Sequence, residues 1–313
     1  MISIKPLQLH TGDLIGIVAP ASNIKPGLLA AGVAELHRLG FRTKCFDSIL
    51  EKYRYTAGPD ERRARELNAM FADPEIKAIF AARGGYGSSR LLPLLDRQVM
   101  EAHPKIFMGY SDISTLLLYF HRRFNWVVFH GPMVTREFAG GEHQYDRDML
   151  VRVLCKAEPA GRVDATGTQV LHSGVAGGKL VGGCLPMLTN SIGTDYELDS
   201  RDSILFIEDY ASKPYQIDRM LTHLRAAGKL SHVRGLIFGE LTDCVQHPDQ
   251  GYTIVDVVEA CVGDLNIPVL FGLRSGHSDY RNLVLPLGVE VTLDCSKTEA
   301  ALTIDEPAVS GAE

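Results

Sequence analysis

Apolar positions along the first 130 residues fall in short runs separated by stretches of helical spacing. Leu14–Val18 is an unbroken apolar run and reads as a buried strand. A helix follows from Pro26, opened by proline and closed by Gly40, and Phe41–Phe46 reads as a second strand. A charged helix spans Pro59–Phe71, a strand spans Ile76–Ala81, and a short helix follows Ser88. Lys105–Tyr110 is a buried strand leading into the helical pattern that begins at Asp112. This alternation predicts an α/β fold with a parallel sheet and helices on its faces.

From Arg136 to about Gly178 the periodicity fades, broken by Gly140, Gly141, Pro159, Gly161 and Gly167, as a connector would be. We expect a first domain over 1–140, a connector over 141–169 and a second domain over 170–313. The second domain's landmarks are a Gly-rich turn at Val181–Cys184, a strand at Ser203–Glu208, a helix at Pro214–Leu224 and strands at Gly235–Gly239 and Val269–Gly272. The runs Leu283–Pro286 and Val289–Leu293, separated by Gly288, suggest a hairpin. The tail beyond Asp305 is expected to fray. No internal repeat or low-complexity segment appears.

Composition narrows the function classes. At 313 residues the chain exceeds the size at which one core usually stops growing, so two domains are expected. The net charge is -6 with lysines and arginines scattered, which argues against nucleic acid and against an anionic membrane surface as partners. The N-terminus lacks the basic start, long apolar middle and cleavage site of a signal peptide. No apolar stretch approaches the roughly 20 residues of a membrane span, so a soluble, cytoplasmic protein is expected. Six cysteines without CxxC spacing predict reduced thiols, and Cys244 with His247 is too sparse a pair for zinc.

The candidate chemistry sits at strand ends. Ser111, in Gly109-Tyr-Ser-Asp, occupies a sharp strand-to-helix junction of the kind that exposes a nucleophile, with the amide of Asp112 aimed at whatever it attacks. The competing account is an N-cap serine followed by an acidic residue at the helix start. Arg83-Gly-Gly-Tyr-Gly-Ser-Ser offers close-approaching glycine amides as a second oxyanion donor, or is an ordinary strand-to-helix turn. It fails the dinucleotide fingerprint, because Arg90 stands where a third glycine belongs. Glu208 emerges at the carboxyl end of an apolar strand, either into a site or into solvent, and His277 lies in a polar glycine-flanked loop. Jointly they permit a proton-transfer chain. Ser111 attacks a carbonyl, neutral His277 takes its proton, and ionised Glu208 fixes the imidazole tautomer.

Over nearly its whole length the sequence resembles the LD-carboxypeptidases, which trim murein peptides, and the related microcin immunity peptidases. The motifs are Gly12-Asp-Leu-Ile-Gly-Ile-Val-Ala-Pro-Ala-Ser, Ala82-Arg-Gly-Gly-Tyr-Gly, Gly109-Tyr-Ser-Asp and His130-Gly-Pro-Met. They continue with Gly182-Gly, Phe206-Ile-Glu-Asp, Pro214-Tyr-Gln-Ile-Asp-Arg-Met-Leu, Gly276-His and Leu285-Pro-Leu-Gly. The resemblance implies a Ser111–His277–Glu208 triad, with oxyanion donors from the Asp112 amide and from Gly84 or Gly85. It also implies a Rossmann-like N-terminal domain, a C-terminal α/β domain of mixed strands, a site in the cleft between them, a homodimer, and no metal or organic cofactor. One departure is visible: Cys184 stands where the pattern carries asparagine. It reads as a small packed residue in the site wall, and its replacement by alanine should leave hydrolysis largely intact.

The resemblance implies a serine exopeptidase that hydrolyses the L,D-peptide bond before a C-terminal D-amino acid, D-alanine of a murein tetrapeptide, in cell-wall recycling, with Arg83 as candidate clamp for the free carboxylate of the muropeptide. The alternative keeps the triad and cleaves a peptide-nucleotide linkage, which calls for an aromatic platform in a mobile loop. The only tryptophan, Trp126, instead precedes the apolar run Val127–Phe129. A non-catalytic two-lobed binding protein is a third reading, and a dinucleotide-dependent oxidoreductase is weaker still.

Overall fold

The alternation read in the first half is present in a computed structural model of the chain, which describes residues 3–247, 249–278, 280–297 and 300–311. Strand β1 (Leu14–Val18) leads to α1 (Pro26–Arg38), β2 (Arg42–Lys44), α2 (Asp60–Ala72), β3 (Ile76–Ala81) and α3 (Arg97–Ala102). Then come β4 (Ile106–Gly109), α4 (Ser114–Phe124) and β5 (Val128–His130). All of β1 is buried, as a strand covered on both faces should be. The second strand is shorter than Phe41–Phe46, because it lies at the sheet edge and only its polar centre pairs with β1. The short helix after Ser88 is a 3₁₀ run, Ser88–Leu94, containing Pro93, which has no N–H to donate.

The strands stand in the order β2-β1-β3-β4-β5, all parallel. The order reverses between β1 and β3, and at such a point the loops beyond the carboxyl ends of the strands diverge into a crevice.

The stretch expected as connector carries α5 (Arg147–Leu154) and β6 (Gly161–Val163). Next come β7 (Gln169–His172), β8 (Val175–Cys184), α6 (Leu185–Asn190), β9 (Ser203–Glu208), α7 (Pro214–Ala226) and β10 (Gly235–Gly239). The chain continues through α8 (Ile254–Val262), β11 (Val269–Leu273), β12 (Leu285–Leu287), β13 (Glu290–Asp294) and β14 (Ala301–Ile304). The second sheet runs β6-β14-β13-β8-β9-β10-β11-β7, with a parallel centre from β8 to β11 and antiparallel flanks. The expected fold class, an α/β chain with a parallel first sheet and a mixed second one, is thus met.

Three expectations change. Val181–Cys184 is the end of β8 and not a turn; Gly182 and Gly183, at φ 134° and 140°, bend the strand without breaking its pairing with β9. The expected hairpin is absent, because β12 pairs with β5 in the first sheet while β13 pairs with β8 in the second. Gly288, at φ 97°, is the crossing point: its N–H meets Leu180 O at 2.7 Å, and an added Cβ would lie 2.8 Å from the His121 ring. The tail is held rather than frayed. Ser310 exchanges backbone bonds with Pro6 and Gln8, and Ala308 and Val309 are buried.

Candidate active site

At the end of β4 the backbone turns sharply. Ser111 has φ 64°, a left-handed conformation that costs a non-glycine residue about 1–2 kcal/mol. Gly109 permits the turn, since an added Cβ would stand 2.9 Å from Ala81 Cβ and from Ile113 Cγ2. The Ser111 side chain caps nothing: a 3₁₀ turn, Ser111–Ile113, starts from Tyr110, and α4 starts after Ile113. The N-cap account of this serine therefore fails.

Gly84 lies against this turn, with its hypothetical Cβ 2.8 Å from Ser111 Cβ. The glycine loop is pinned from two sides. Ser22 N–H donates to Gly84 O (3.1 Å) and Tyr86 N–H donates to Ser22 Oγ (3.2 Å). On the other side the Asp112 carboxylate accepts from Ser88 N–H (2.8 Å), and Ser88 Oγ donates to Asp112 O (2.6 Å). Asp112 thus ties the two loops together, and burial pushes its carboxyl up from the ordinary value. Arg83 is exposed, and its Nη1 donates to Asn23 O at 3.0 Å, so it anchors the loop while facing the cavity.

From the second sheet, Glu208 ends β9 with 2% of its side chain exposed. Its Oε2 accepts from the backbone N–H of His277 (3.2 Å) and lies 2.7 Å from His277 Nδ1. Gly276, at φ 95°, makes this approach possible, because a Cβ there would fall 2.5 Å from Glu208 Cδ. Asn282 holds the same loop by paired bonds to Gly276 N and O, both 2.9 Å. The His277 ring is stacked on Tyr210 (5.2 Å, 17°) and meets Tyr110 edge-on (4.9 Å). Its orientation is therefore fixed on two faces.

The other Glu208 oxygen faces a second imidazole that sequence reasoning had quoted in a motif without a role. His130, fully buried at the end of β5, places Nε2 3.6 Å from Oε1, within ion-pair range but too long for a hydrogen bond. Ser275 Oγ donates to Leu283 O (3.2 Å), so its lone pairs are left to accept from His130 Nδ1 at 3.1 Å. Burial alone would push the Glu208 carboxyl up. The two imidazoles outweigh that and hold it well below the ordinary carboxylate range. Cys184 is buried beside this carboxylate, and burial pushes its thiol far up, which removes it as a nucleophile. Its backbone N–H donates to Ser114 Oγ (3.1 Å), linking the second sheet to α4.

Ser111, Gly84, Gly85, Arg83 and His277 line one cavity of about 380 Å³, together with Tyr210 and the cations Lys25 and Arg136. Arg136 contacts Glu137 at 3.2 Å and stands 5.9 Å from the Tyr210 ring. Neither cation has a spacing signal in the sequence; position after β1 and β5 is what brings them here. Trp126 is 2% exposed and packs on Phe71, Phe120 and Phe124, far from any role as an open platform. A serine hydroxyl, an imidazole oriented by an ionised carboxylate, close glycine backbone and cationic walls suit nucleophilic attack on a carbonyl of an anionic substrate.

Residues 15–131 match the model of the LD-carboxypeptidase N-terminal domain, and residues 177–293 match that of the LD-carboxypeptidase C-terminal domain. The chain is 33% identical to the probable murein peptide carboxypeptidase of Bacillus subtilis (strain 168), over 96% of this chain and 95% of that protein. It is 28% identical to the microcin C7 self-immunity protein MccF of Escherichia coli, over 97% of each. Among solved structures it is similar to the muramoyltetrapeptide carboxypeptidase from Oxalobacter formigenes, with a TM-score of 0.83 and 27% identity over 94% of this chain and 99% of that one.

Proposed function

This chain belongs to the LD-carboxypeptidase family and is a serine-type carboxypeptidase, and on that premise we propose that it releases the C-terminal D-alanine of a murein tetrapeptide. Ser111 Oγ attacks the carbonyl that precedes the D-residue, and its proton passes to His277 Nε2. Glu208 stabilises the resulting imidazolium from the Nδ1 side. The amides of Asp112 and of Gly84 or Gly85 take the oxyanion. The proton then moves from His277 to the departing amine, and a water deprotonated by the same imidazole hydrolyses the acyl-enzyme. Arg83 holds the free carboxylate of the substrate; replacing it with alanine should raise KM, and an unchanged KM would remove that role. The reaction takes place in the cytoplasm, on a homodimer. Among the described residues no helix is long and apolar enough to cross a membrane.

The observation that carries this reading is the 2.7 Å His277–Glu208 pair at a cavity it shares with a strained Ser111. The murein substrate is favoured over a peptide-nucleotide because the tryptophan is in the core, and because the probable murein peptide carboxypeptidase is the more similar of the two relatives compared above. The test is release of free D-alanine from a purified murein tetrapeptide by wild type and by Ser111→Ala. Release by wild type alone supports the proposal. Release by both would remove Ser111 as nucleophile, and release by neither would discard the substrate.

A further inference from the structure

We propose that the Cys184 thiolate, the Glu208 carboxylate and the His277 imidazole form a binding site for a soft or borderline divalent cation, Zn²⁺ or Cd²⁺, whose occupation shuts the enzyme off. One ligand atom of each residue lies within 4.8 Å of the other two. Cys184 and Glu208 are register partners at the ends of the adjacent strands β8 and β9, so their side chains emerge together. His277 comes from the loop after β11, with Nδ1 at 2.7 Å from Glu208 Oε2. Glu208 Oε1, fully buried, has no hydrogen-bond partner among the described residues and keeps its lone pairs for a ligand.

The donor set decides which ion fits. One thiolate, one carboxylate and one neutral imidazole balance a divalent charge, which favours occupation of a site this poor in solvent. A sulfur donor selects Zn²⁺ or Cd²⁺ over Mg²⁺ or Ca²⁺, which take oxygen. With metal bonds of about 2.0–2.3 Å, ligands around a tetrahedral ion stand roughly 3–4 Å apart, so the three groups close on it with small side-chain movements. His277, which lines the cavity, is the point of entry. On binding, the thiol proton leaves to solvent and the metal–sulfur bond forms. The single ring proton moves from Nδ1 to Nε2 by exchange with solvent, so the atom that would accept the Ser111 proton becomes a donor and attack stops. Only this inhibitory consequence rests on the proposed triad; the cation site stands apart from it.

Titration of the full chain with CdCl₂, carrying Cys45→Ala to remove the exposed cysteine, reads the site through its thiolate-to-cadmium absorption band. One equivalent should saturate the band. Cys184→Ser and Cys184→Ala should each lose it, and Glu208→Gln should weaken it by more than about tenfold, the least that loss of even an outer-shell partner costs. Turnover should fall over the same Cd²⁺ range. The concentration giving half inhibition should rise at least about tenfold in Cys184→Ser, each protein being compared with its own metal-free rate. MgCl₂ should change neither. No band, a band surviving both cysteine variants, or a saturated band with turnover intact would overturn the proposal. Should the protein release no D-alanine, the band and its loss in the variants still decide the site, so the two readings fail separately.

Discussion

The two sheets meet one cavity with different materials. The first presents backbone: a serine held at φ 64°, and glycines pressed so close that a methyl group at Gly84 would stand 2.8 Å from Ser111 Cβ. The second presents ionisable side chains, Glu208 and His277, positioned by Asn282 and Gly276. The first half should therefore be intolerant of added atoms, and the second intolerant of altered protonation.

The sharpest test of that division is His277→Ala, which removes the proposed base and leaves the strained turn. It should lower kcat by roughly 10⁴–10⁶, and Glu208→Gln by about 10⁴. Residues that act as one unit are not additive, so the double variant should be no slower than His277→Ala. A multiplicative loss in steady-state kinetics would mean that the two side chains act separately. On the other sheet, Gly84→Ala changes no charge and forces Ser111 to shift. It should cost about 10–100-fold in kcat/KM, since a displacement near 1 Å at a reacting group has that effect. The acidic limb of its pH profile should stay where it is in wild type, and a moved limb would break the comparison.

How much of this was legible in the sequence follows the same division. The Ser111 turn and the Glu208 strand end are local events, an apolar run meeting a polar residue, and could be read within ten positions. His130 could not, since it follows the apolar run Val127–Phe129 as the last residue of a buried strand and acquires its meaning only where β5 approaches β9 and β11 across 78 and more residues, from His130 to Glu208. The hairpin failed for a related reason. Leu285–Leu287 and Glu290–Asp294 have the right period and the right glycine between them, but pairing depends on which edges are open, and β5 and β8 offered two in different sheets. Composition also misjudged the tail, whose Ala308 and Val309 pack where no sequence pattern announces a partner. Cys184 is buried, as a small packed residue should be, and its closeness to Glu208 and His277 needed the fold.

His130 refines the comparison because it belongs to the first sheet and acts on the second's carboxylate. His130 Nδ1 meets Ser275 Oγ at 3.1 Å, and its Nε2 faces Glu208 Oε1 at 3.6 Å, where the ring helps to hold the carboxylate below its ordinary range. As a positioning residue it keeps Glu208 ionised. His130→Gln should lower kcat/KM about tenfold near neutral pH and move the acidic limb of the profile upward, because a less stabilised carboxylate protonates at higher pH. A uniform loss at every pH would reduce His130 to packing.

The smallest effect on turnover is expected at Lys105, at the opposite end of β4 from Ser111. Its Nζ donates to Met70 O at 3.0 Å and also contacts Asp73 O, and burial pushes the ammonium down to about 8. Between about pH 8 and 10.5 the unfolded chain keeps this proton while the folded chain has lost it, so the group's contribution to stability rises with pH across that window and is absent below it. Urea unfolding of wild type and Lys105→Met should therefore diverge with increasing pH, wild type gaining by up to about 3 kcal/mol, with kcat unchanged in the variant. Titration in the first sheet would then bear on stability, and titration in the second on chemistry. A change in kcat in Lys105→Met would show that the far end of β4 reaches the Ser111 turn, and the division between the two sheets would not hold.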